Sequence, residues 1–163
     1  MTNRTFSIRF SREDWVLLRQ VMLHDPKCEN PSQVMYYSFR DARKNGFDIK
    51  RAAAYKIKKP DIEISAEEYT ATRSFSVEEQ DWDFAVDTYR EQLNVERVRI
   101  SSLARLILKN RMLFLEAEND EVEKKITNID GVELLKRVND YAAELIRAGE
   151  IATVMNFIRE RRK

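Results

Sequence analysis

Only one of the 163 residues is cysteine, Cys28, and only one is histidine, His24. A lone cysteine excludes an intrachain disulfide and reads as a small surface or half-buried residue rather than a reactive thiol. His24 has no neighbouring His or Cys with which to hold zinc, so it reads as an ordinary residue late in a helix. With three glycines and three prolines against many Leu, Ile, Arg, Lys and Glu, helix is expected to be the main state. No apolar run approaches the roughly 20 residues needed to cross a bilayer, and the polar N-terminus has no signal-peptide core. A soluble, cytoplasmic protein with no membrane partner is expected. There is also no Walker loop, no dinucleotide-binding glycine pattern, no metal-ligand cluster and no Cys/His or Ser/His pair in a supportive context. The carboxylates are scattered over polar helix faces, so neither an enzyme nor a metal or cofactor site is expected.

What the chain does have is enough apolar surface, 43% of residues with 10% aromatic, for a packed core in one or two small domains. Its net charge of +1 conceals an asymmetry: residues 1–59 carry +7, residues 60–119 carry −6 and residues 120–163 balance. A basic first third fits a polyanionic partner, and an acidic middle weakens non-specific attraction to phosphates. Charge blocks of this kind also fit plain solvated faces.

The most informative phrase is Phe6-Ser7-Ile8-Arg9-Phe10-Ser11-Arg12-Glu13-Asp14-Trp15, where strict alternation gives way to a helical period. Phe6, Ile8 and Phe10 fall on one face of a short strand, with Thr5, Ser7 and Arg9 on the other. A fainter copy follows in Thr72-Arg73-Ser74-Phe75-Ser76-Val77 and Asp81-Trp82. With the tryptophans superposed, Thr72, Ser74 and Ser76 take the outward places. Two such strands predict a two-stranded ribbon.

Helix signals organise the rest. Ser11, followed by acidic residues in the first turn, starts a helix that carries Trp15, Leu18, Val21 and Met22 to about His24. Asn30-Pro31 restarts one that runs to about Asn45 before Gly46 stops it. Residues 47–69 read as a positively charged linker, with a helical turn or two near Lys50–Lys56. A second strand is expected near 70–77, then a helix from Glu79 to Leu93, then another capped by Ser101 with Leu103, Leu106, Ile107 and Asn110 facing inward. Residues 120–163 have no counterpart in the first unit. Leu134, Val138, Tyr141 and Leu145 make one stripe and Ile151, Val154, Met155 and Ile158 another, as in a helical hairpin or two short helices before the basic tail Arg159–Lys163. That extension either packs on its own chain or offers a surface for self-association or a protein partner.

On the strand and helix-start residues just quoted, the first unit resembles the ribbon-helix-helix (Arc/MetJ-like) family of DNA-binding proteins. The resemblance covers about residues 4–45 and, more weakly, 70–118. It implies a mostly α fold with a short β-ribbon: tandem units at 1–46 and 70–119, a linker at 47–69 and a C-terminal helical extension at 120–163. In that family, paired strands enter the DNA major groove. The resemblance therefore implies double-stranded DNA as partner, Thr5, Ser7, Arg9, Thr72, Ser74 and Ser76 as base-reading positions, and Ser32, Gln33, Ser101 and Ser102 as phosphate anchors at helix starts. Pro31 lacks an N–H, and Arg9 is the strongest discriminator of the set because Arg can contact guanine bidentately. Two departures stand out: Arg73 falls on the face that Phe6 occupies, which leaves the register of the second strand open, and Ser76 stands where the first unit has Arg9, so the halves should read unequal half-sites. A transcriptional repressor is the function this implies. The alternatives are an accessory DNA-binding factor of plasmid transfer (a relaxosome component) and an antitoxin- or assembly-type protein-interaction module that has lost DNA binding. Pairing of the units within one chain and pairing between chains are both open.

Overall fold

The computed structural model describes residues 2–58, 60–127 and 131–147. It is mostly helical, with one small antiparallel sheet. The elements run β1 (Asn3–Ile8), α1 (Arg12–His24), α2 (Pro31–Asn45), α3 (Ile49–Ala53), α4 (Ala66–Thr70), β2 (Arg73–Glu78), α5 (Glu79–Leu93), α6 (Ile100–Thr127) and α7 (Gly131–Arg147). The order strand, helix, helix thus occurs twice, in β1-α1-α2 and in β2-α5-α6. By its contacts the chain divides into two compact units, Met1–Glu118 and Asn119–Lys163.

Local chemistry accounts for most helix ends in the first unit. Ser11 and Asp14 close a reciprocal capping box at the start of α1, each side chain accepting the other's backbone N–H at 3.2 and 3.3 Å. Asn30 Oδ1 accepts the Gln33 N–H at 2.9 Å, and Pro31 fills the first position of α2. Gly46, at φ 108° and ψ 154°, takes a backbone conformation that a side chain would strain, and it ends α2. Asn94, left-handed at φ 51°, ends α5.

Two boundaries differ from the sequence expectation. The strand expected near 70–77 is Arg73–Glu78, because Ser65 caps a short helix instead: its Oγ accepts the Glu68 N–H, and Thr70 donates back to Ala66 O at 2.6 Å. Ser101 does not cap α6. That helix starts at Ile100, its first turn closing from Leu103 N–H to Arg99 O at 2.9 Å, so Ser101 and Ser102 lie within the turn.

The core gathers beneath the sheet and along α1. Trp15, Leu17, Leu18 and Val21 of α1, Val34, Met35 and Phe39 of α2, and Leu103, Ile107 and Leu108 of α6 are all fully buried. The segment between the two strand-helix-helix stretches is more than a charged tether, since Phe47, Ile49, Ala52, Tyr55 and Ile64 are buried in the same cluster. Ion pairs join distant parts of the chain. Arg105 of α6 holds Asp14 of α1 at 2.6 and 3.2 Å, and Arg43 of α2 pairs with the fully buried Asp81 of α5. Each pair runs from the first helix after one strand to the second helix after the other.

In the second unit, α7 buries Ala142, while Leu135 and Tyr141 are 61% and 50% exposed and Val138 is half-buried. The side chains of Leu134 and Leu145 lie outside the described residues, as do the stripe expected over 151–158 and the basic tail.

Candidate nucleic-acid interface

Phe6 pairs with Phe75, Ser7 with Ser74, Thr5 with Ser76, and Ile8 with Arg73, within an antiparallel ladder that runs from Asn3↔Glu78 to Ile8↔Arg73. No bulge is needed, which settles the register that Arg73 left open. Alternation then does what the sequence requires: Phe6, Ile8, Phe75 and Val77 are buried, and Thr5, Ser7, Ser74 and Ser76 are exposed.

The inward residues form an aromatic floor. Phe6 has Phe75 and Phe39 at 5.8 Å and Trp82 at 4.9 Å between ring centroids, and Phe39 stacks on Trp82 at 5.8 Å. Phe10 meets Trp15 edge-on and Phe75 at a tilt, both at 5.6 Å. These separations are in the favourable range for aromatic pairs and fix the ribbon against the helices. A two-stranded ribbon is marginal alone in water, so the floor is what keeps the outer face in one geometry.

At the middle of that face, Ser7 Oγ and Ser74 Oγ are 2.9 Å apart. These two residues coincide when Trp15 is superposed on Trp82, so corresponding positions meet across the ladder. Two hydroxyls that share one hydrogen bond still offer a donor and several lone pairs outward, suited to base edges of more than one kind. Arg9 and Thr72 are exposed and lie just past the last pair, at one end of the ribbon, and not within the strands. Arg9 makes no ion pair or hydrogen bond among the described residues.

The one carboxylate in the ladder is withdrawn from that face. Glu78 is buried, receives hydrogen bonds from Gln80 at 2.8 Å and Tyr36 at 2.7 Å, and pairs with Arg40 at 3.2 Å. Those hydrogen bonds hold its carboxyl below the ordinary range, so it stays charged but neutralised from the inner side.

The expected anchoring residues occupy two helix starts. Ser32 is exposed in the first turn of α2. Gln33 is already engaged, its N–H with Asn30 Oδ1 and its Oε1 with the Glu29 N–H at 2.7 Å, which leaves Ser32 as the better-placed donor there. Ser101 is exposed and Ser102 half-buried in the first turn of α6.

The sequence singles out Arg73 only as a departure in register and gives no role to it or to Arg4, the two arginines that frame the ribbon. Arg73 lies over Trp15 with its guanidinium 5.3 Å from the ring centroid, and Arg4 lies over Trp82 at 5.7 Å. Each strand thus sends an arginine to the tryptophan of the helix that follows the other strand. Both sit at inward-facing positions of their strands, where alternation alone predicts an apolar side chain. The signal that identifies them is charge at an apolar phase near a strand end.

The arrangement defines a class: a helical scaffold that stiffens a short ribbon whose outer face carries hydroxyls and arginine and no exposed paired-strand carboxylate. Neither a protein-family model, nor a curated protein, nor a solved structure matches the chain. No helix among the described residues is long and apolar enough to cross a membrane.

Proposed function

We propose that the chain is a sequence-specific double-stranded DNA-binding protein, a transcriptional repressor built from two tandem ribbon-helix-helix units folded on each other within one chain. The observation that carries this reading is the intramolecular ribbon, with Thr5, Ser7, Ser74 and Ser76 outward over an aromatic floor. A two-stranded ribbon of this width fits the major groove, where hydroxyls and guanidinium groups meet base-edge donors and acceptors. Arg9 is the strongest discriminator and has no partner at the other end of the ladder, so the preferred site is asymmetric. Ser32, Ser101 and Ser102 serve as backbone anchors, with no cofactor or metal involved. Because the ribbon pairs within the chain, its formation does not depend on dilution.

A protein-interaction role is supported by a separate observation. Glu79, Asp83, Asp87 and Glu91 recur every fourth residue on α5, are all exposed, and pair with no cation among the described residues. Like charges at this spacing disfavour the helix slightly, by a few tenths of a kcal/mol per pair, and would repel phosphates.

Selection of bound duplexes from a random double-stranded pool tests the two readings together. The DNA reading expects an asymmetric motif whose strongest position weakens in Arg9→Ala by about 1–3 kcal/mol of discrimination. A folded protein that enriches no sequence at low or moderate salt would transfer the weight to the interaction role.

A further inference from the structure

Where Arg4 crosses Trp82, a concavity of about 420 Å³ opens between the start of β1, one face of α5 and the loop before α6. Arg4, Arg90 and Arg97 line it, together with Glu96 and the apolar walls Trp82 and Val86. Three guanidinium groups against one carboxylate leave a surplus of positive charge, two of them from a stretch, 60–119, that is acidic overall. Arg90 is held in place by donating from Nε to the Glu96 backbone carbonyl at 3.0 Å, which orients the rest of its fork without neutralising it. None of the three makes an ion pair among the described residues.

The positions that match Arg90 and Arg97 at the other end of the ribbon carry no arginine. With Trp15 superposed on Trp82, Arg90 corresponds to Leu23, which is 68% exposed, and Arg97 corresponds to Asn30, which is occupied capping α2. Glu96 corresponds to Glu29, and Arg73 over Trp15 matches Arg4 over Trp82, so the arginines that the other end lacks are those at positions 90 and 97.

We propose that the Arg4, Arg90 and Arg97 cleft binds a phosphate of the DNA backbone, and that this grip exists at one end of the ribbon only. Guanidinium forks match phosphate oxygens bidentately, and the apolar wall beneath Arg4 reduces the freedom that must be lost on binding. The site lies one residue from Thr5 along β1, so a strand seated against base edges brings the adjoining backbone toward it. The inference rests on the DNA-binding reading and adds a direction to it: unequal base reading on the ribbon is accompanied by unequal backbone contact beside it.

The test uses the full chain and a duplex carrying its selected site. Salt dependence of binding is measured for wild type, for Arg97→Gln alone and for the Arg4→Gln, Arg90→Gln, Arg97→Gln variant, with phosphate-ethylation interference on both half-sites. The expected result is a slope of log affinity against log salt shallower by about 0.9 for each phosphate lost. Interference should vanish on one half-site only, and the preferred base sequence should be unchanged. Arg97 is exposed and outside the core, so the single variant keeps the question answerable if Arg4→Gln disturbs Trp82. Wild-type binding with slope and interference unaltered in both variants would overturn the cleft and leave the DNA reading standing. Loss of interference on both half-sites would overturn its one-sidedness, and absence of wild-type binding at any salt would remove both claims.

Discussion

Arg111 of α6 is the clearest place to perturb the joining of the two strand-helix-helix stretches. Its side chain is 4% exposed and lies between two carboxylates from the first stretch: Asp25, 1% exposed and hydrogen-bonded at 3.1 and 3.3 Å, and Asp41, 11% exposed, with Nε 2.9 Å from Oδ2. Burial pushes the Asp25 carboxyl up, but hydrogen bonds from the Lys27 N–H and from Arg111 outweigh it and hold the group below its ordinary value. At Asp41 burial dominates over the attraction of Arg111, and the carboxyl is raised. Arg111→Met is nearly isosteric in length but strands both acids, and removing one partner from a buried network costs about 3–5 kcal/mol at neutral pH. With a urea dependence of roughly 1–3 kcal/mol per molar, the unfolding midpoint should fall by about 1–5 M. The pH dependence fixes the cause. In wild type the Asp25 contribution is full above 3.8 and is lost as pH falls through its lower folded value. The Asp41 contribution has the opposite sign: it is full below 3.8 and is lost as pH rises through its higher folded value. In Arg111→Met both acids lose their cation and take up protons at higher pH than in wild type, so the deficit should be largest at neutral pH and narrow as pH falls. Adding Asp25→Asn and Asp41→Asn should recover much of it. A deficit below about 1 kcal/mol, or one of equal size at neutral and acid pH, would refute the account.

Two other substitutions separate the ribbon's floor from its face and test a backbone claim. Phe6→Ala removes a ring that is 5% exposed and touches Phe39, Phe75 and Trp82, and should cost about 3–5 kcal/mol in urea unfolding, whereas exposed Ser7→Ala should stay within about 0.5 kcal/mol; similar losses for the two would mean that the floor does not hold the ribbon. Gly46→Ala should cost about 1–3 kcal/mol although nothing lies within 4 Å of an added Cβ, because the loss comes from φ 108° alone, and an unchanged thermal midpoint would contradict this.

Features governed by near neighbours were legible in the sequence. Ser11, Asn30-Pro31 and Gly46 mark helix ends through contacts three or four residues away, and the structure puts all three in the expected roles. Strand alternation likewise marks Phe6, Ile8, Phe75 and Val77 as buried and Thr5, Ser7, Ser74 and Ser76 as exposed, but not Arg4, Arg73 or Glu78 at the strand ends. A similar local signal lies at Ser65-Ala66-Glu67-Glu68, a capping sequence whose short helix keeps the second strand from beginning before Arg73. What was not legible depends on pairing at long range. Arg73 looked misplaced at an apolar phase until its position at the end of the ladder, over Trp15, gave it a reason. Nothing in the sequence marks out Arg111, since its acids lie 86 and 70 positions away in the chain. Arg4, Arg90 and Arg97 are likewise scattered in the sequence and share a cleft only once β1 and α5 are packed.

Under the proposed function, placing both halves of the ribbon in one chain has a chemical consequence that two identical chains could not produce. In a symmetric dimer each outward position occurs twice, so a change that improves one half-site must be accepted at the other. Here corresponding positions are free to diverge, and they have done so unevenly. Ser7 and Ser74, which face each other at the centre, are the same residue, while Arg9 corresponds to Ser76, Leu23 to Arg90 and Asn30 to Arg97. Identity is kept at Ser7 and Ser74 and at Thr5 and Thr72, while the inward positions differ, Phe6 matching Arg73 and Ile8 matching Phe75. The inner pairings impose a similar limit, because Phe6 and Phe75 must fill one shared space, whereas an arginine at the rim answers only to solvent and ligand. Rim positions such as Arg90 and Arg97, which no shared space constrains, are where the two halves differ in charge, and a difference of that kind is what an asymmetric target would require of this fold.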